Sequence, residues 1–515
     1  MGHSDAACLT CRQKSRRCDR ARPMCKRCIS KGLQCGGYPE KFRFCGIASR
    51  GKWKNHKAPI SKDDASIAGA DLSVEKSVVP AQELQSDAQI PLTGVLDSTT
   101  PWNPETPDSV ILPSQRNTPS EESELKRTLS SKEAETLITH YDRFICPHQI
   151  AQPVDSGENP YRLYVIPLAY EQLNLLYAVL ALSAFHLGHL KSDKHLYESV
   201  AVNYRAKAIN ALGITIHKVC SGDFTGDDRD SVFATIQILL LHDICETGIS
   251  AHGAHISGAM SICSQLKLAQ TLSVDQERTV FFLGNLVWLD IIRAFSSPER
   301  LCFTQELRLK LLSLCNLRFE AVNGCPRDIV LIIAAILECA KAYSSGKLEY
   351  TEFYNTIRES IRKLYLWDGS RCFFPDESTI WVSVSNAFRH ACILRAWRLL
   401  DPSEPPSEPR IRDSVLEILD SVANIPSTSP LIELMVLPLF MAGADSLSAH
   451  SRHYVILRLE QIKGRSEMGN AAPLTLLEKV WHARAEQAQH DTSNIPWMSF
   501  ASNSDSLHQD DYLII

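Results

Sequence analysis

The chain lacks the usual marks of an enzyme and of a membrane protein. Its 515 residues contain no G-x-x-x-x-G-K-[ST] phosphate loop, no H-E-x-x-H and no G-x-S-x-G. No unbroken apolar run reaches the roughly 18 residues of a membrane span. The longest candidates are Ile329–Leu337 and the stretch around Leu175–Leu190, the latter interrupted by Ser183, His186 and His189; both read as buried helices. The first residues, Met1-Gly2-His3-Ser4-Asp5, show no apolar run of a signal peptide. These absences lead to the expectation of a soluble, intracellular, non-enzymatic chain with no membrane partner. Aromatic residues are nearly missing from Ala58 to Leu129, Trp102 excepted, where Ser, Thr, Pro, Asp and Glu dominate. Such a stretch buries too little apolar surface to offset the entropy of ordering, so 58–129 is expected to be a disordered linker. Residues 36–129 also lack the sustained apolar heptads of a coiled coil.

Cysteine is concentrated in one place. Of 17 cysteines, six fall within the first 35 residues: Cys8, Cys11, Cys18, Cys25, Cys28 and Cys35. Adding 17 to the first three positions gives the last three, so one unit, C-x2-C-x6-C, is used twice. Two tetrahedral zinc ions need eight ligand places, and six thiolates supply eight only if two of them bridge. One bridging cysteine per half suits the duplication; a single zinc would leave two thiols idle. Iron–sulfur clusters use other spacings. A disulfide framework is the competing reading, but eleven scattered further cysteines suit a reducing compartment.

Charge is divided as sharply as cysteine. Residues 1–60 carry 15 Lys and Arg against 3 Asp and Glu, a charge of +12, which leaves −17 for the remainder of a chain whose total is −5. A basic head on an acidic body points to nucleic acid at one end and other partners elsewhere. A short helix should follow each C-x2-C pair. The first, about 11–17, holds Arg12, Lys14, Arg16 and Arg17; its counterpart, about 28–34, holds only Lys31. The first is therefore the better fit to the major groove, where Lys and Arg donate to guanine O6 and N7. Arg12, Arg16 and Arg17 are expected on phosphates, which position without reading sequence. The tract Arg50–Lys57 suits nuclear import or DNA contact.

From Ser130 the pattern turns helical. Ser130-Ser131-Lys132-Glu133 fits a capping box, and Leu137, Ile138, Tyr141 and Phe144 follow at helical spacing. Periodic stretches recur at Tyr170–Leu190, Lys194–His217, Asp228–Glu246, Glu277–Ala294, Asp328–Ala342, Ile380–Leu400 and Leu474–Ala488. One large all-α domain is expected over 130–489. His252 and His255 share no recognisable ligand spacing with Cys245 and Glu246, and Cys245, Cys263, Cys339 and Cys392 read as core. Cys45, in the basic arm, is the expected reactive thiol. The tail 490–515 sets bulky apolar groups beside acidic ones, as in Asp510-Asp511-Tyr512-Leu513-Ile514-Ile515. That composition suits a flexible activation segment; docking on the body is the alternative.

Residues 8–35 resemble the fungal Zn2Cys6 binuclear zinc cluster, with Cys8-Leu9-Thr10-Cys11-Arg12-Gln13-Lys14-Ser15-Arg16-Arg17-Cys18-Asp19 as its first half and Pro23 at its loop proline. Several segments over 131–490 are similar to the fungal-specific transcription factor domain, among them Asn159-Pro160-Tyr161-Arg162 and Pro438-Leu439-Phe440-Met441-Ala442-Gly443. The resemblance implies two zinc ions per chain on Cys8, Cys11, Cys18, Cys25, Cys28 and Cys35, with Cys8 and Cys25 bridging. It places Lys14 and Ser15 at the family's base-contacting pair, and the family usually has a basic residue where Ser15 stands. The expected architecture is a Zn2Cys6 module (1–38), a basic arm (39–57), the disordered linker (58–129), an all-α regulatory domain (130–489) and the tail. The expected function is a nuclear, sequence-specific regulator of RNA polymerase II genes that reads CGG-like triplets in double-stranded DNA and recruits the transcription machinery or coactivators. The DNA unit acts either as a monomer or as a homodimer paired by the body. The alternative is a receptor-type regulator whose body binds a small-molecule effector.

Overall fold

The computed structural model describes residues 10–11, 14, 16, 18–19, 25–33, 35, 120–150, 159–190, 194–250, 252–316, 318–369, 372–375, 378–466, 471–488, 490–501, 511–512 and 514. The chain divides into two units, Met1–Val110 and Ile111–Ile515. The second is an all-α body with one continuous apolar core. Among its described residues the β structure is a single antiparallel pair, Ile249–Ser250 with Asp511–Tyr512.

The periodic stretches fold as helices close to their expected limits: Leu173–Leu190, Lys194–Ser221, Gly226–Glu246, Glu277–Ala294, Arg327–Ser344, Ile380–Leu400 and Ala472–Glu486. Thr225 and Asp228 cap the third of these reciprocally, Thr225 Oγ1 accepting from the Asp228 N–H and the Asp228 carboxylate accepting from the Thr225 N–H. Leu173–Leu190 is apolar enough by composition to cross a membrane, with a mean hydropathy of 1.5, but 83% of it is buried inside the body. It packs along Lys194–Ser221 and Gly226–Glu246. Two of its polar side chains reach neighbouring helices: Asn174 donates to the Ser231 hydroxyl at 3.1 Å, and His186 is hydrogen-bonded to His140 at 2.8 Å. A second layer is built from Ile380–Leu400 against Pro409–Ala423 and Val436–Asp445, and Glu277–Ala294 runs from Gly226–Glu246 to Arg327–Ser344.

Three boundaries differ from the sequence reading. Helix begins at Glu121, inside the expected linker, in the segment Glu121–Leu129. Ser120 caps it, Glu122 pairs with Lys126, Glu124 accepts from the Tyr177 hydroxyl at 2.8 Å, and the partly buried Leu125 and Leu129 pack against the core. The capping serine of Lys132–His140 is Ser131, whose side chain accepts from the Ala134 N–H; Glu133 turns outward to the Tyr204 hydroxyl at 2.7 Å.

The third difference is the tail. Its described residues are docked, not flexible. Asn494 donates to the Ser403 and Pro402 carbonyls and accepts from Arg484. Trp497 stands edge-on to Phe440 at 4.9 Å, and Ile514 is buried. Apolar bulk that suits a coactivator also suits the body's own core.

Buried histidines make the body sensitive to acid. Burial and the nearby Arg205 lower His242 to about 4, and burial with Arg389 lowers His390 to about 4. Between about pH 6.5 and 4 the unfolded chain takes up protons that the folded body refuses, so stability falls as pH falls through that window. Thermal unfolding at pH 7 and pH 5 should show a lower midpoint at pH 5. His242→Gln should flatten the dependence by at most about 1.4 kcal/mol per pH unit.

Candidate metal centre

The head has almost no apolar core among its described residues. Among its described residues the buried cluster is Cys11, Cys25 and Cys28, with Cys18, Leu33 and Cys35 packed around it. Cys11 Sγ lies 3.8 Å from Cys25 Sγ and 4.0 Å from Cys28 Sγ. These separations are far beyond the roughly 2.05 Å of a disulfide bond. They fit the edge of a tetrahedral zinc site, where zinc–sulfur bonds of about 2.3 Å set neighbouring sulfurs about 3.8 Å apart. Cys25 belongs to two groups of closely spaced donors, one with Cys11 and Cys28 and one with Cys18 and Asp19.

Local structure explains how the sulfurs meet. Thr10 and Cys11 are helical, and the N–H groups of Lys14 and Arg16 donate to the carbonyls of Thr10 and Cys11. The second half forms the helix Lys26–Ser30 with Cys25 as its N-cap, the sulfur accepting from the Cys28 N–H at 3.3 Å. Asp19 holds the same helix end from the other half: its carboxylate accepts from the N–H groups of Lys26 at 3.1 Å and Arg27 at 3.3 Å. Both oxygens thus serve the positive end of the helix, which makes Asp19 an organiser of the fold more than a metal ligand. Sequence reasoning gave Asp19 no role; its place directly after the third cysteine was the available signal.

Lys14 and Arg16 are exposed, as a groove-facing surface requires. Cys35 is half-buried beside the sulfur cluster. Cys8, Arg12, Ser15, Arg17 and Cys45 lie outside the described residues. The second helix starts two residues earlier than expected and therefore carries Lys26 and Arg27, so the two halves differ less in charge than their sequences imply. Arg27 donates to Cys11 Sγ at 3.5 Å, which spends that guanidinium on sulfur charge.

The body holds a second concave feature, a cavity of about 240 Å³ walled by Trp288, Leu289, Ile292 and Phe388, among others. Four amides line it, Gln149, Gln237, Asn285 and Asn323. Tyr141 donates to Gln149 Oε1, Gln237 donates to the Tyr161 hydroxyl, and Asn323 donates to Asn285 Oδ1. The opposite ends of three of these amides, Gln149 Nε2, Gln237 Oε1 and Asn285 Nδ2, are buried with no hydrogen-bond partner among the described residues. Cys245 also lines the cavity, and burial pushes its thiol up to about 12, which disfavours the thiolate.

Residues 6–44 match the fungal Zn(2)-Cys(6) binuclear cluster domain, and residues 136–511 match the fungal specific transcription factor domain. The chain belongs to the fungal zinc-cluster transcription factors. It is similar over 96% of its length to the acriflavine sensitivity control protein acr-2 of Neurospora crassa, at 22% identity across 94% of that protein. It is likewise similar to the pestheic acid cluster transcriptional regulator 3 of Pestalotiopsis fici, at 20% identity across 96% of this chain and 97% of the relative. No solved structure matches. As a member of this family the chain is a zinc-binding, DNA-binding transcription regulator rather than an enzyme. Zinc, when bound, would offset thiolate charge and would be held by Cys11 of the first half with Cys25 and Cys28 of the second.

In so small a module folding and metal binding are one event, so loss of a structural contact should appear as loss of zinc affinity. Asp19→Ala removes the acceptor for two N–H groups, at a cost of about 0.5–2 kcal/mol. Competition with a chromophoric chelator should show apparent zinc affinity lowered roughly 2- to 30-fold. Unchanged affinity would mean that the helix end is held by other groups.

Proposed function

We propose that the head reads CGG-like triplets as a two-zinc unit, with all six cysteines as ligands and Cys8 and Cys25 as bridges. The observation that carries this reading is the double membership of Cys25, whose sulfur is close to donors from both halves. Exposed Lys14 supplies the base contact, with Ser15 beside it, and Arg12, Arg16 and Arg17 hold phosphates. The regulator acts in the nucleus on genes of RNA polymerase II. The all-α body, over 130–489 with the helix at Glu121–Leu129 added, recruits coactivators. The acidic charge outside the head keeps DNA contact on the head. Pairing through the body would join two heads, and exposed Val202 and Ile209, seven residues apart on one helix, favour that route.

A second reading has its own support. The cavity with its three incompletely satisfied amides favours a body that binds a small effector and gates activation.

Selection of random duplex DNA by the full chain, with zinc and with chelator, tests the first reading. Zinc-dependent enrichment of a CGG-like triplet is the expected result, and the number and spacing of triplets report monomer or dimer. Lys14→Ala should then cost about 1–3 kcal/mol of specific binding. Equal loss of specific and nonspecific affinity would make Lys14 a phosphate contact, and binding with no enriched sequence would contradict triplet reading.

A further inference from the structure

We propose that the cavity of the helical body binds a neutral, flat aromatic molecule of about two fused rings that carries a carbonyl group. The inference gives the second reading above its ligand class, and depends on that reading only for what binding does to transcription.

Size comes first. An apolar cavity of roughly 150 Å³ admits a benzene ring. The body's cavity is about 240 Å³, which leaves room for a second fused ring. Shape comes from the walls: Trp288 and Phe388 meet edge-to-face at 5.8 Å, and Leu289 and Ile292 continue the apolar lining. Polarity comes from the amides. Gln237 is 6% exposed and Asn285 3% exposed, yet each keeps one amide atom without a partner among the described residues. Such atoms are costly to bury; a ligand carbonyl would satisfy Asn285 Nδ2, and would accept from Gln237 as well once its amide turned to take the Tyr161 hydroxyl proton on Oε1. Asn323 fixes the direction of Asn285: it donates to Asn285 Oδ1 and to the Phe319 carbonyl, so Asn285 offers an N–H to a ligand oxygen. Gln237 is more adaptable, because the Tyr161 hydroxyl it touches both donates and accepts.

Charge argues for a neutral ligand. The ionisable side chains on the lining are His148, Glu433 and Lys463; Glu433 is engaged by His148 at 3.1 Å and by Arg465 at 2.9 Å, and Lys463 is exposed. The aromatic and amide wall holds no charged side chain to compensate a buried ligand charge. The lining also includes Ile514, just beyond the Asp511–Tyr512 strand that pairs with Ile249–Ser250. A ligand in contact with Ile514 is thermodynamically coupled to the seating of the tail.

The test is titration calorimetry of the full chain with three probes: coumarin, 4-quinolone and naphthalene. The two carbonyl probes should bind one per chain, at least about tenfold more tightly than naphthalene. Gln237→Leu should weaken the carbonyl probes about tenfold and spare naphthalene, and Leu289→Trp, which fills the wall, should weaken all three. Asn285→Leu carries the same comparison if Gln237→Leu does not fold, as judged by its helical circular dichroism. Hydrogen exchange at Ile249 and Tyr512 should slow on binding. The proposal is overturned if no probe binds, if naphthalene binds equally well, or if the variants leave the affinities unchanged. A reporter gene under the chain's own selected DNA sequence separates the two claims. Binding without a change in the reporter keeps the site and refutes the effector reading. A reporter response that survives Leu289→Trp keeps effector control and refutes this site.

Discussion

The mutual repulsion of thiolates held a few ångströms apart is the constraint on which the head depends. Three buried sulfurs lie within 4.0 Å of one another along two edges, in a module whose remaining core among the described residues is little more than Leu33. As anions they would separate without a cation; as neutral thiols they would give too little cohesion to order the chain. Zinc would resolve both problems, which couples metal binding to the folding of the head. The surrounding structure serves that arrangement: Asp19 fixes the helix that brings in Cys28, and Arg27 takes up sulfur charge.

The body rests on a different principle. Its core is apolar and continuous, and most of its buried polar groups have partners that seat one helix on the next, such as Asn174 on Ser231. Leu173–Leu190 is apolar on nearly every face because helices or loops cover it all round. Three of the exceptions to polar satisfaction share one place. Gln149, Gln237 and Asn285 come from three separate elements and meet at one cavity, where the body is least complete as a solid.

Much of this was legible in the sequence where the pattern is local. The cysteine repeat pointed to the place where Cys11, Cys25 and Cys28 come together, and helical periodicity placed Glu277–Ala294 and Ile380–Leu400 at their observed limits. Features decided by distant contacts were hidden. Glu121–Leu129 reads as polar linker because its anchor, Tyr177, is 53 residues from Glu124. The tail reads as mobile because the seats of Trp497 and Ile514 are supplied by remote parts of the chain. The cavity gave no signal at all: Gln237 and Tyr161 are 76 residues apart, and single amides in apolar helices are unremarkable until the fold brings them together. In the head, the start of the second helix was misjudged because a cysteine side chain acts as its N-cap, a role usually taken by Ser, Thr, Asp or Asn.

The central claim is that all six head cysteines hold two zinc ions and that this arrangement makes the head. Native mass spectrometry of the full chain, combined with alkylation before and after chelation, tests it most directly. The account predicts two zinc ions per chain, with Cys8, Cys11, Cys18, Cys25, Cys28 and Cys35 protected until the metal is removed. One zinc ion per chain, with two of the six alkylated at once, would contradict it.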